Sequence, residues 1–213
     1  MIPIREILAT SPVMPVIVLD RVGDAIPLAD ALVSGGILVI EVTLRTPAAL
    51  SCVRAIRAGV PNAVVGVGAI TSIAELNSAR DAGAQFGVSP GTTQALLAHA
   101  ATSGFPFLPG TMTPSDVMRA LAAGFSAIRL FPARQAGGVE MLKALAEPFP
   151  QVVFCPAGGI DADSAAAYLA LPNVACVGGS WLAPAALIAD QDWDEIQRRA
   201  QAAALLSRHL TTQ

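Results

Sequence analysis

The sequence predicts a (β/α)8 barrel, an α/β fold in which eight parallel strands alternate with helices around a closed sheet. Eight short runs of apolar, mostly β-branched residues recur along the chain, and successive runs start 20 to 25 residues apart. The runs are apolar on both faces, which is typical of parallel strands covered by helices on either side. Because the units are short and nearly equal, they favour the closed barrel over a doubly wound open sheet, which is the alternative. The eight runs start at Pro15, Leu38, Ala63, Phe86, Pro106, Ala127, Gln151 and Ala175.

Helical patterns fill the gaps between these runs, which have room for one crossover helix each. Four gaps place apolar residues at three-to-four spacing, in the stretches AIPLADALVSGG, SIAELNSARDAG, PSDVMRALAAG and ADSAAAYLALP. Thr113 followed by Pro114 is typical of a helix start, with a capping side chain before a proline in the first turn. The amphipathic segment from about Asp190 to Gln213 predicts the last helix of the barrel.

Composition predicts one domain spanning residues 1–213 and excludes two classes of partner. A chain of 213 residues that is 54% apolar can bury one large core. No apolar run reaches the roughly 18 residues that a membrane span needs. Glu6 and nearby prolines interrupt any signal-peptide pattern, so we expect a cytoplasmic protein. The net charge is −3, and the 12 arginines and the single lysine, Lys143, are spread along the chain, which excludes a nucleic-acid-binding surface.

The cysteines and histidines indicate neither a metal site nor a disulfide framework. Cys52, Cys155 and Cys176 are odd in number and have no metal-like spacing, so we expect buried thiols. His99 and His209 lie in helical stretches away from the strand ends, where a surface or interface position is expected.

Candidate site residues lie where the predicted strands end. In (β/α)8 barrels the carboxyl ends of the strands carry the active site. The polar and special residues at these ends are Glu41, Arg45, Ser89, Pro90, Thr111, Arg129, Phe131, Gly158, Gly159, Gly178, Gly179 and Ser180.

Two glycine pairs follow the seventh and eighth predicted strands. Gly158 and Gly159 follow the seventh, and Gly178 and Gly179 precede Ser180 after the eighth. In this architecture these two loops commonly build a phosphate site from backbone N–H groups and a helix N-terminus. The alternative is that both are tight strand-to-helix turns that need glycine only for their backbone conformation.

Glu41 is a carboxylate in the middle of an apolar strand. A buried carboxylate either pairs with a cation, here Arg45 or Arg129, or has a raised pKa that suits it to general acid/base catalysis. The residue pattern leaves both alternatives open.

Five motifs together resemble the 2-keto-3-deoxy-6-phosphogluconate (KDPG) and 4-hydroxy-2-oxoglutarate (KHG) aldolase family. They are VIEVTLRT, VSPGTT, LFPA followed by GG, FCPAGGI and CVGGSWLAP, and the resemblance runs from about Val13 to Pro184. It implies a homotrimer of class I aldolase-like barrels that cleaves the phosphorylated keto acid to pyruvate and glyceraldehyde 3-phosphate. The reaction implied uses a lysine Schiff base and neither metal nor cofactor.

The resemblance also implies roles for individual residues. Glu41 would be the general acid/base, and Arg45 would bind the pyruvate carboxylate. Pro90 and Phe131 would form the pocket wall, and Thr111 is a further candidate for substrate binding. The substrate phosphate would bind at Gly158, Gly159, Gly179 and Ser180.

Three positions depart from the family pattern, all at the pyruvate end of the expected pocket. Arg129 stands where the family has the Schiff-base lysine, and Ala69 and Ala157 stand where threonines are expected. Arginine stays protonated and is a poor nucleophile, so it cannot form the Schiff base. Lys143 lies about 14 residues further on in a helical stretch, where we expect it on the outer ring of helices.

Two hypotheses of different classes follow. In the first, the pocket still binds a keto acid or sugar-acid phosphate, with Arg129 and Arg45 as clamps and Glu41 as the base for enolisation, dehydration or decarboxylation. In the second, the barrel is catalytically silent, either a binder or an oligomeric scaffold, by natural or deliberate alteration. A metal-dependent aldol reaction would need several ligands at the strand ends, and Glu41 is the only good candidate.

Overall fold

A computed structural model describes residues 2–207, and all strand pairings in this range are parallel. The strands are β1 (Val13–Ile17), β2 (Val39–Thr43), β3 (Val64–Gly68), β4 (Gly87–Val88), β5 (Phe107–Leu108), β6 (Gly110–Thr111), β7 (Ala127–Leu130), β8 (Val153–Phe154) and β9 (Val177–Gly179). The helices are α1 (Ile4–Ala9), α2 (Ala25–Ser34), α3 (Ala49–Gly59), α4 (Ile73–Asp81), α5 (Gln94–Thr102), α6 (Pro114–Ala122), α7 (Gly138–Ala146), α8 (Ala162–Leu169), α9 (Ala185–Ala189) and α10 (Trp193–Ala204). A short 3₁₀ helix, Val22–Asp24, precedes α2.

The strands form a curled parallel sheet of six strands and a second group of three. The six are ordered β5-β4-β3-β2-β1-β9 and the three β6-β7-β8. Isolated bridges between Phe154 and Val174 and between Ala157 and Gly178 lie between β8 and β9. The structure confirms the α/β class and the parallel strands. It shows a curled half-barrel, and a complete eight-stranded barrel stays a prediction.

The fifth predicted strand is divided at Pro109. Proline has no N–H to donate to a strand ladder, so β5 and β6 stand on either side of it. As a result, β5 pairs with β4, and β6 pairs with β7. This division explains why the structure has nine strands where the sequence pattern predicts eight.

The four predicted helical stretches correspond to α2, α4, α6 and α8. The predicted start at Thr113 is confirmed, since its side chain accepts a hydrogen bond from the Asp116 N–H and the Asp116 carboxylate accepts one in return. Ser72 and Glu75 form the same capping box at the start of α4. The predicted last helix is α10, and His209 and the rest of the tail beyond Ser207 lie outside the described residues.

The buried apolar residues form two clusters on opposite faces of the strands. Neighbouring residues of a strand point to opposite faces, and accordingly Val13 belongs to the larger cluster and Met14 to the smaller one. The smaller cluster, called here the inner cluster, also contains Ile7 and Leu8 of α1. Its members are Ile7, Leu8, Met14, Val39, Phe86, Val88, Leu108, Ala127, Cys155, Ala175 and Cys176.

Among residues 2–207, no helix is both long enough and apolar enough to cross a membrane.

Candidate functional site

A cavity of about 190 Å³ opens at the carboxyl ends of the strands. Eleven of the twelve predicted strand-end candidates line it, namely Glu41, Arg45, Ser89, Pro90, Arg129, Phe131, Gly158, Gly159, Gly178, Gly179 and Ser180. Ala69 and Ala157, the two positions without the expected hydroxyls, line it as well. The strand-end reasoning therefore predicted which residues the fold brings together.

Arg129 and Glu41 form a buried ion pair at the floor of this cavity. Arg129 Nη2 donates to Glu41 Oε2 over 2.7 Å, and the two side chains are only 4% and 3% exposed. Burial, the largest single effect, acts to lower the pKa of Arg129, but the Glu41 carboxylate and the nearby Cys155 and Cys176 sulfurs together raise it. Of the two alternatives that the sequence leaves open for Glu41, the ion pair with Arg129 is the one present.

The rest of the guanidinium has unusual surroundings for a buried cation. Nη2 also lies 3.3 Å from Met14 Sδ and 3.7 Å from Cys155 Sγ, both in the inner cluster. Nε is buried without a hydrogen-bond partner among the described residues. A buried donor without a partner is destabilising. The ion pair with Glu41 is therefore the interaction that mainly stabilises the buried Arg129 side chain.

The backbone of β3 approaches Glu41 closely. Glu41 pairs in register with Gly66, and a β-carbon on Gly68 would overlap Glu41 Oε1. Only glycine therefore leaves room at position 68 for the carboxylate. The following residue, Ala69, has a φ of 60°, in the left-handed region that non-glycine residues seldom adopt.

Thr111 is the one predicted site residue that does not line the cavity. It is buried, and its Oγ1 donates to the backbone oxygen of Arg129 over 3.1 Å. Ser89, which lines the cavity, accepts a hydrogen bond from the Gly110 N–H over 3.0 Å. Thr111 thus contacts the backbone of the strand that carries Arg129.

The two glycine loops also line the cavity. Gly158 and Gly159 have φ values of 97° and 77°, so both need glycine for their backbone conformation. A β-carbon on Gly179 would overlap the Trp181 ring. These conformations agree with the interpretation that the glycines form tight turns. The glycine backbone also lies uncovered by side chains beside the exposed Ser180, which a phosphate site would require.

Three other candidates lie away from the cavity. Lys143 is more than half exposed on α7, where Nζ bonds to Glu140 over 2.7 Å. His99 of α5 bonds through Nε2 to Asn77 over 3.1 Å. Within the described part of the chain, no three histidine, cysteine, aspartate or glutamate side chains are grouped as metal ligands.

Sequence reasoning missed the contribution of the first strand and of one residue of the second. Val16 and Val18, at the end of β1, and Thr43, at the end of β2, also line the cavity. Thr43 Oγ1 donates to the backbone oxygen of Ile17 over 2.9 Å. The valines carry no chemical signal, so only their place at the carboxyl end of a strand could have identified them.

Parallel strands, crossover helices and a cavity at the carboxyl ends of the strands place the chain in the class of α/β proteins whose ligand sites lie at that edge. Comparison with known proteins gives the particular family. The family model for KDPG and KHG aldolases matches residues 4–199. The chain belongs to this family.

Named relatives agree with this assignment. The KHG/KDPG aldolase of Escherichia coli K12 is 46% identical over 199 residues, which cover 93% of either chain. The KDPG aldolase of Legionella pneumophila, with pyruvate captured at low pH as a covalent carbinolamine intermediate, superposes with a TM-score of 0.93 at 42% identity, covering 95% of this chain and 98% of that one. The Zymomonas mobilis ZM4 aldolase with 3-phosphoglycerate gives a TM-score of 0.92 at 43% identity, with 96% of each chain covered.

Proposed function

We propose that the cavity binds a phosphorylated 2-keto acid of the KDPG type, and that the chain does not cleave it through a lysine Schiff base. The observation that carries this proposal is the Arg129 guanidinium, buried and paired with Glu41 at the cavity floor. The family resemblance assigns the Schiff-base amine to this position.

Schiff-base formation needs a neutral amine that attacks the substrate carbonyl. Arg129 cannot supply one, since the Glu41 carboxylate favours its charged form and its pKa is raised. Lys143 is the only lysine of the sequence, and it points outward from α7 with Glu140 as its partner. The usual amine is therefore missing from the cavity, and the chemistry is lost or redirected.

Two anion-binding ends support binding of such a substrate. Arg45, exposed at the cavity rim, would meet the keto-acid carboxylate, and Arg129 would be a second clamp on the floor. Gly158, Gly159, Gly179 and Ser180 would hold the phosphate. The Legionella relative holds pyruvate and the Zymomonas relative 3-phosphoglycerate, which are a keto acid and a phosphorylated acid.

Glu41 would be the base in any redirected reaction, such as enolisation of the bound keto acid. A specific observation favours a second candidate function, a binder without catalytic activity. The Glu41 carboxylate is engaged by Arg129 at 2.7 Å, and substrate would have to displace this contact before Glu41 could accept a proton. Proton exchange at C3 of bound pyruvate, measured by NMR in deuterated buffer, separates the two candidates, because only the first predicts exchange.

We further propose that the chain is a single closed barrel and assembles as a cytoplasmic homotrimer, as the resemblance implies. Met118 of α6 is 61% exposed and Met112 before it is 43% exposed, and apolar surface of this kind suits a subunit contact. Sedimentation equilibrium tests the assembly.

The binding proposal is tested by thermal stabilisation with pyruvate, inorganic phosphate and 3-phosphoglycerate. A ligand at 100 times its Kd adds about 2.7 kcal/mol to the free energy of unfolding. We expect Ser180→Asp to abolish stabilisation by the two phosphate ligands, because the added charge repels them. The control is Ser115→Asp, at an exposed position of α6. Equal stabilisation of the two variants by phosphate would contradict the proposal.

A further inference from the structure

The structure places two buried thiols next to each other beneath the cavity floor. Cys155 follows β8 and Cys176 precedes β9, and the Cys176 thiol donates to Cys155 Sγ over 3.4 Å. Both belong to the inner cluster, and neither is in a disulfide. The two Sγ atoms are 3.4 Å apart, and a disulfide needs them about 2.05 Å apart, so oxidation has to bring the side chains closer together.

The surroundings of Cys155 favour its thiolate. The hydrogen bond from Cys176 and the nearby charge of Arg129 lower the pKa of Cys155, although burial acts to raise it. Arg129 Nη2 lies 3.7 Å from Cys155 Sγ. Cys52 is the opposite case, because burial and the charge of Asp24 raise its pKa. Cys155 thus has a lowered pKa and a second thiol, Cys176, in contact with it. Cys52 has a raised pKa.

A small oxidant has a short route to this pair. Arg129 lines the cavity and touches Cys155 directly. Ala157 and Gly178 line the cavity too, and each is two residues from one of the cysteines. Both cysteines are fully buried, and Arg129, which lines the cavity, is in direct contact with Cys155.

The geometry points to a modification site: Cys155 and Cys176 form a dithiol that a hydroperoxide oxidises to an intramolecular disulfide. The Cys155 thiolate attacks one peroxide oxygen, the O–O bond breaks, and an alcohol or water leaves as Cys155 becomes a sulfenic acid. Cys176 then attacks that sulfur, and water leaves as the S–S bond forms. Two thiols lose two electrons and two protons, and the peroxide is reduced to water and an alcohol, or to two waters when it is hydrogen peroxide.

The site does not depend on the proposed keto-acid binding, and its test is separate. The folded protein is treated with hydrogen peroxide, then unfolded under acid, and its thiols are counted. We expect the count to fall from three to one, the intact mass to fall by two hydrogen atoms, and digestion to yield one peptide pair linked through Cys155 and Cys176. A thiol reductant should restore all three thiols.

Two variants distinguish this pair from general oxidation. Cys52→Ala should lose its two remaining thiols at the wild-type rate. Cys176→Ala should form no disulfide and should instead accumulate a Cys155 sulfenic acid that a cyclic 1,3-dione traps. Loss of the Cys52 thiol first, or oxygen addition to the wild type without a crosslink, would overturn the proposal. So would a folded wild-type protein that keeps all three thiols while the urea-unfolded chain is oxidised.

Discussion

Arg129 Nη2 lies 2.7 Å from Glu41 Oε2, and this ion pair joins β7 to β2 across the floor of the cavity. The two residues are 88 positions apart in the sequence. Each is the charged partner that makes burial of the other tolerable, since an unpaired buried charge is strongly destabilising. The same contact engages the Glu41 carboxylate, which is the base in the proposed function.

The ion pair should dominate the stability of the cavity floor. We expect Arg129→Met to lower the free energy of unfolding by about 3–5 kcal/mol, because it leaves the Glu41 carboxylate buried and unpaired. The double variant Arg129→Met with Glu41→Leu should recover most of this loss. Urea denaturation measures both. A double variant that loses as much as the two single variants combined would show that the pair is not coupled.

Gly68 should be essential for the position of Glu41. A β-carbon at Gly68 would overlap Glu41 Oε1, so we expect Gly68→Ala to cost about 1–3 kcal/mol of stability through overpacking. It should also weaken pyruvate binding, measured by calorimetry. Gly91→Ala is the control, because no heavy atom lies within 4 Å of its added β-carbon, and its effect should be within about 0.5 kcal/mol. Equal losses for the two variants would refute this role of Gly68.

The start of α4 should become less stable in acid. Hydrogen bonds from the Thr71 backbone and other donors at this helix start lower the pKa of Glu75 from its ordinary value of 4.5. A lowered folded-state pKa contributes stability above the unfolded-state pKa and loses it as the pH falls through the folded-state pKa. Wild type should therefore be more stable than Glu75→Gln at pH 7, and this advantage should disappear as the pH falls below 4.5. Thermal melts over this range measure it, and an advantage that grows in acid would contradict the assignment.

Local signals in the sequence predicted much of the fold. The regular spacing of apolar runs identified the strands, and Thr113 marked the start of α6, because both depend on near neighbours in the chain. Pro109 shows the limit of this reasoning. The run around it is apolar and typical of one strand. Its division into β5, which pairs with β4, and β6, which pairs with β7, depends on the positions of strands that are distant in the sequence.

The candidate site, like the fold, was predicted only in part from the sequence. Positions at strand ends predicted the lining residues, since the carboxyl ends of parallel strands meet at one edge. The sequence could not decide whether Glu41 pairs with Arg45 or Arg129, because that choice depends on the register of distant strands and on side-chain reach. Thr111 was placed at the correct strand end, yet its hydroxyl bonds to the Arg129 backbone. The contact between Cys155 and Cys176 likewise needs the approach of β8 to β9.

The central proposal is that Arg129 removes Schiff-base cleavage from a cavity that keeps Glu41, Arg45 and the glycine loops. The most direct test is pyruvate release from 2-keto-3-deoxy-6-phosphogluconate by the wild type and by Arg129→Lys, with borohydride trapping of any imine and mass analysis of the trapped residue. We expect no release and no adduct from the wild type, and release with an adduct on the new lysine from the variant. Pyruvate release by the wild type, with an adduct on Lys143 or with none, would contradict the claim.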